Sequence, residues 1–101
     1  MPPTTVLIID NDLKWLRDTK KFLESNIGYN VITATTYGAG KTALQTEEFN
    51  VALIDIHLLE EGNLNDISGI DLAKHYAPRV PKIMVTQPPT FDMLRESLRK
   101  T

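Results

Sequence analysis

The first pattern in the chain is a pair of apolar runs that each end in acid: VLIID at residues 6–10, continuing as ND, and VALID at residues 51–55. Neither run alternates polar with apolar. Continuous Val, Ile and Leu positions indicate strands buried on both faces, as in a parallel sheet. Two further runs fit the same role, NVITA at residues 30–34 and KIMVT at residues 82–86. Between the strands the period lengthens toward that of a helix. Leu13, Leu16, Phe22 and Leu23 share one side of a predicted first helix, which Gly28 stops. A loop is expected over residues 35–40, followed by a short helix over 41–48 with Ala43 and Leu44 facing in. A polar loop is expected from His57 to Ser68, after which Ile70, Leu72, Ala73 and Tyr76 give a third helix up to Pro78. Phe91, Leu94 and Leu98 mark the last helix, whose final turn is basic. The order βαβαβαβα predicts an α/β fold, a doubly wound parallel sheet with right-handed crossovers.

Composition narrows the function classes. A chain of 101 residues with 42% hydrophobic and 24% charged residues fits one ordinary globular domain. At that size folding buries about 60 to 68% of the surface exposed by the unfolded chain. A net charge of −2 gives no general attraction to nucleic acid or anionic lipid. There is no cysteine, hence no disulfide, thiol nucleophile or thiolate metal site. The N-terminal MPPTT lacks the regions of a signal peptide, and no apolar run is long enough to span a bilayer. A cytoplasmic location is expected, without membrane or nucleic-acid contact.

The chemistry that this pattern suggests sits at the strand ends. If the first and third strands are neighbours, Asp10, Asn11, Asp12 and Asp55 bring oxygen donors to the edge where open α/β sheets bind ligands. Hard oxygen donors without a His or Cys cluster suit Mg²⁺. A carboxylate beside such a cation can attack phosphorus and form an aspartyl phosphate. Thr86, at the end of the fourth run, is placed to offer a hydroxyl to a phosphoryl oxygen. Asp12 stands just before the first helix, where aspartate commonly caps. His57 and His75 read as surface or partly buried side chains, because no partner lies at metal-binding spacing. Trp15 and Phe22 read as packing residues, and the acidic residues between 60 and 66 as a solvated insertion.

One motif competes. GAGKT at residues 38–42 resembles the end of a phosphate-binding loop, with VALID as its metal strand. The motif needs a glycine at position 35, where Thr35 stands, and Lys41 is only 14 residues before Asp55. A nucleotide-binding core does not fit in that space.

Taken in order, VLIIDND, VALIDIH with a later SGIDL, and PKIMVTQ resemble the receiver domain of two-component response regulators over nearly the whole chain. The resemblance implies a flavodoxin-like fold in which Asp55 is the phosphoacceptor and Thr86 the switch hydroxyl. It also implies that Asp10, Asn11, Asp55 and the backbone carbonyl of His57 hold Mg²⁺. A histidine kinase or phosphotransfer protein is the implied partner, and self-phosphorylation and dephosphorylation are the implied activities. Phosphorylation would draw Thr86 inward and bias the surface of the last strand and helix.

This sequence departs from the family pattern at four places. Asn11 stands where a second acid is usual, which weakens the expected Mg²⁺ site. The loop from Asp55 to the turn glycine Gly69 is about six residues longer than usual, with Leu59 where proline is common. Gln87, Pro88 and Pro89 replace a small residue and a mobile loop. The chain is expected to end one strand and one helix short of a complete receiver, without the family's lysine; Lys100 lies in a helical segment and does not take that role. These departures support an alternative, a degenerate receiver acting as a phosphorylation-independent interaction module. A missing edge strand also predicts a homodimer or strand-exchanged dimer.

Overall fold

The structure is a computed structural model and describes residues 3–60, 65–85 and 91–100. Four parallel strands form one sheet: β1 (Thr5–Ile9), β2 (Asn30–Ala34), β3 (Val51–Asp55) and β4 (Lys82–Val85), in the spatial order β2-β1-β3-β4. The registers pair Ile9 with both Ala34 and Ile54, and Asp55 with Val85. β1 and β3 are therefore neighbours that end level with one another. They flank the point at which the strand order reverses, the switch point where open α/β sheets bind ligands.

The helices are α1 (Leu13–Phe22), α2 (Tyr37–Thr46), α3 (Ser68–His75) and α4 (Phe91–Arg99). Strand side chains divide cleanly by parity, as a pleat requires. Leu7, Ile9, Ala52 and Ile54 pack with Ala43 and Leu44 of α2 and Leu72 of α3. Val6, Ile8, Val51 and Leu53 pack with Leu16 of α1 and with Leu94 and Leu98 of α4. Right-handed crossovers account for α1 on one face and for α2 and α3 on the other, because the chain moves toward β2 first and away from it afterwards. α4 leaves β4 and returns to the α1 face, where the Arg95 guanidinium sits 5.5 Å from the Phe22 ring centroid. No helix among the described residues is long and apolar enough to cross a membrane.

Several elements differ from the sequence reading. Leu13 is 65% exposed, and the buried stripe of α1 runs instead through Leu16 and Thr19 to Leu23. A spacing of three and then four residues makes that stripe, and a threonine at its centre hides it from a search for apolar residues. α1 continues as a π-helical turn, Leu23–Ile27, which Gly28 ends with a left-handed φ of 85°. α2 begins at Tyr37, inside the expected loop, because the Thr36 hydroxyl accepts the Ala39 N–H at 3.0 Å and caps it. Gly38, Gly40 and Lys41 are thus helical, and a Cβ on Gly40 would lie 2.7 Å from Ile9 Cγ2. Its glycine serves close packing of helix on sheet, and GAGKT forms no phosphate-binding loop.

Candidate functional site

Asp10 and Asp55 each follow the last inward-facing position of a buried strand, and both are themselves buried, at 6% and 4% exposure. Local hydrogen bonds turn the chain there. The Asp10 N–H donates to the Ala34 carbonyl at 3.1 Å, continuing the sheet, and Asp10 Oδ1 accepts the Asp12 N–H at 2.8 Å. Asp12 Oδ1 in turn accepts the Trp15 N–H at 3.1 Å. Asp12 is therefore the cap of α1, and its side chain is exposed and directed to that helix.

On β3, Asp55 Oδ1 accepts the His57 N–H at 3.0 Å. Asp55 Oδ2 is buried and has no hydrogen-bond partner among the described residues. A buried carboxylate oxygen without a donor carries a desolvation cost that only a proton, a cation or a ligand donor relieves. Asn11 is partly buried beside this edge, and its Nδ2 donates to the Leu58 carbonyl at 3.0 Å. That bond orients the carboxamide and leaves Oδ1 as its acceptor. Among the described residues no three acidic or histidine side chains cluster as a metal centre. The carboxylates of Asp10 and Asp55 and the carboxamide of Asn11 are polar side chains at this edge, and hard oxygen donors of this kind suit a small hard cation.

His57 is buried at 7% exposure, against the expectation of a surface or partly buried side chain. Its Nδ1 lies 2.8 Å from the Asp66 carbonyl oxygen, a polar partner that sequence spacing does not reveal. Gly69 also differs from its expected place in a turn. It lies in the first turn of α3, and its N–H donates to the Ile56 carbonyl at 3.0 Å. A Cβ there would stand 1.8 Å from the Asp55 carbonyl oxygen. Only glycine allows α3 to start against the backbone of the phosphoacceptor candidate.

Thr86 follows Val85, the residue in register with Asp55, but Thr86 and residues 87–90 lie outside the described residues. Lys100 is exposed and approaches Glu96 at 3.9 Å. Its neighbour Arg99 lines a cleft with Thr4, Asn50 and Pro81, at the amino ends of the strands. The last basic turn is thus at the edge opposite Asp55. His75 is exposed in the last turn of α3.

No family model matches this chain, and no curated protein matches it. Solved structures do. A CheY-like response regulator receiver domain protein from Methanospirillum hungatei is 35% identical over 97% of this chain and 75% of its own, with a TM-score of 0.70. The response regulator TrrA of Thermotoga maritima, solved in complex with Mg²⁺–BeF, is 17% identical over 96% of this chain and 97% of its own, with a TM-score of 0.68. A response regulator from Burkholderia pseudomallei, solved with a phosphorylated aspartic acid, a calcium ion and citrate, is 22% identical. It covers 95% of this chain and 54% of its own, with a TM-score of 0.66. The identity to the Methanospirillum protein, carried across this length on the β2-β1-β3-β4 sheet, shows that the chain belongs to the response regulator receiver domain family.

Proposed function

We propose that this domain accepts a phosphoryl group on Asp55 from a phosphohistidine of a histidine kinase or phosphotransfer protein. The observation that carries the reading is the buried Asp55 carboxylate, with Oδ1 held by the His57 N–H and Oδ2 without a partner among the described residues. In the transfer, an Asp55 carboxylate oxygen attacks phosphorus as the phosphorus–nitrogen bond to the donor imidazole breaks. The bonding pair goes to the imidazole nitrogen, and an acyl phosphate forms. Asp10, Asn11, Asp55 and the His57 carbonyl would hold a divalent cation. When bound, that cation supplies positive charge against the carboxylates and the incoming phosphoryl oxygens. Asp55 Oδ2, buried and unpartnered among the described residues, fits this cation better than it fits an empty pocket. The Mg²⁺–BeF complex of the Thermotoga regulator and the phosphorylated aspartic acid of the Burkholderia regulator support the same chemistry by kinship of fold.

Thr86 completes the reading as the hydroxyl that answers phosphorylation, in a cytoplasmic setting. The β4 edge has no strand neighbour among the described residues, which supports self-association along it. A clean monomer by light scattering at high concentration would remove that part. A second reading, an interaction module without phosphoryl transfer, is favoured by one observation: Asn11 replaces an acid and spends its amide on Leu58. Incubation with acetyl phosphate and Mg²⁺ followed by intact mass measurement separates the two. The receiver reading expects one phosphoryl adduct, absent in Asp55→Asn. No adduct, together with Trp15 fluorescence silent to Mg²⁺, leaves the module.

A further inference from the structure

The long connection between β3 and α3 is tied together by one residue that the phosphorylation chemistry does not use. Asp66 Oδ1 accepts the Ser68 N–H at 2.9 Å, and its Oδ2 accepts the Glu60 N–H. Its backbone carbonyl faces His57 Nδ1 at 2.8 Å. A carbonyl only accepts, so the imidazole carries its proton on Nδ1. Ser68, itself buried, adds a hydroxyl that accepts the Leu59 N–H at 3.1 Å. Residues 57, 59 and 60, at the start of the connection, are thus each bonded to residue 66 or 68, at its end.

Held between these bonds is the two-residue segment His57–Leu58, whose outer main-chain groups, the His57 N–H and the Leu58 carbonyl, both bond the acid pocket. The His57 N–H donates to Asp55 Oδ1, and the Leu58 carbonyl accepts Asn11 Nδ2. We propose that Asp66 is a positioning residue of the phosphorylation site: by closing the β3–α3 connection on itself, it fixes the segment that orients both Asp55 and Asn11. The inference rests on the receiver reading of that pocket. The connection is thereby a support for the amide at position 11. With Nδ2 bonded to the Leu58 carbonyl, the carboxamide has a fixed orientation, which a carboxylate with two equivalent oxygens would not need. A local turn before α3 explains less. Such a turn accounts for the Ser68 N–H, two residues away, but not for Glu60 or the His57 ring, six and nine residues away.

Asp66→Asn separates the two roles, because asparagine, like aspartate, closes a turn onto the N–H two residues on. One amide oxygen, however, cannot serve both the Ser68 and Glu60 N–H groups. The measurements are hydrogen exchange of the Asn11 side-chain amide in metal-free protein, and Mg²⁺ affinity by titration. Residues behind the ligands of a metal site change affinity by about 10 to 100-fold when altered. Asp66→Asn is therefore expected to speed Asn11 amide exchange and to weaken Mg²⁺ binding, each by about tenfold, with helix content unchanged. Ser68→Ala, which removes the Leu59 tie and the hydroxyl that also bonds Asp66 but keeps the Ser68 and Glu60 N–H bonds to the carboxylate, is expected to move both quantities less and in the same direction. Exchange in folded Asp66→Asn within about twofold of wild type overturns the positioning role. Wild-type protein that binds no Mg²⁺, with the exchange difference intact, overturns the metal-bound receiver reading instead and leaves the clamp standing.

Discussion

Replacing Gly69 by alanine tests the join between α3 and the phosphoacceptor strand. The new Cβ would stand 1.8 Å from the Asp55 carbonyl oxygen, 2.7 Å from its carbon and 2.9 Å from Ile56 Cα. Real Cβ atoms essentially never approach closer than 3.0 Å, so helix and strand must part by more than about 1 Å. The obstacle is backbone on a strand buried at every position, so no rotamer change relieves it. Separation also strains the Gly69 N–H bond to the Ile56 carbonyl. Overpacking costs about 1 to 3 kcal/mol in cores whose side chains can adjust; here the upper value, about 3 kcal/mol, is the expectation. Since 1 kcal/mol moves the midpoint of a domain this size by about 4 to 8 °C, the melting temperature should fall by more than about 10 °C. Gly38→Ala provides the contrast. It lies in α2 with nothing within 4 Å of its added Cβ, and should gain about 0.5 to 1 kcal/mol from helix propensity alone. Urea denaturation followed by circular dichroism measures both. A Gly69→Ala protein within about 0.5 kcal/mol of wild type would refute the close approach and the placement of α3.

Three further outcomes follow from the same packing. Thr19 is fully buried and its Oγ1 has no partner among the described residues, so Thr19→Val should stabilise by about 1 to 2 kcal/mol in urea denaturation; destabilisation would mean that the hydroxyl has a partner. Gly28 holds φ at 85°, and Gly28→Ala should cost about 1 to 2 kcal/mol in the same assay. Asp66 is held below the usual carboxylate range, first by the Ser68 hydroxyl and then by the N–H groups of Ser68, Glu60 and Leu59, against partial burial that raises it. A folded carboxyl below its unfolded value stabilises fully above the ordinary aspartate range, about pH 4, and that stability is lost as pH falls further. Wild type should therefore lose stability more steeply than Asp66→Asn below about pH 4, and parallel acid curves would contradict the network.

The sheet was legible because its evidence is local: VLII and VALI are apolar at every position, and a strand with both faces covered must be. Asp10 and Asp55 were legible for the same reason, as the acids that end those runs. What escaped depends on contacts across the fold. The start of α2 was hidden because Gly38 and Gly40 argue against a helix, while the Thr36 cap and the approach of Gly40 to Ile9 require one. The burial of His57 follows from the carbonyl of Asp66, nine residues away across a polar segment. Nothing in the spacing of Leu94 and Leu98 says which face they cover. The return of α4 to the α1 face follows from apolar surface that Val6, Ile8, Leu53 and Leu16 expose together.

The central claim concerns a single carboxylate, and locating the label tests it most directly. Protein treated with acetyl phosphate and Mg²⁺, reduced with borohydride to convert any acyl phosphate to an alcohol, and mapped by peptide mass spectrometry should show reduction at Asp55 alone. Reduction at Asp10 or another acid with Asp55 intact, or at no acid, would contradict the account.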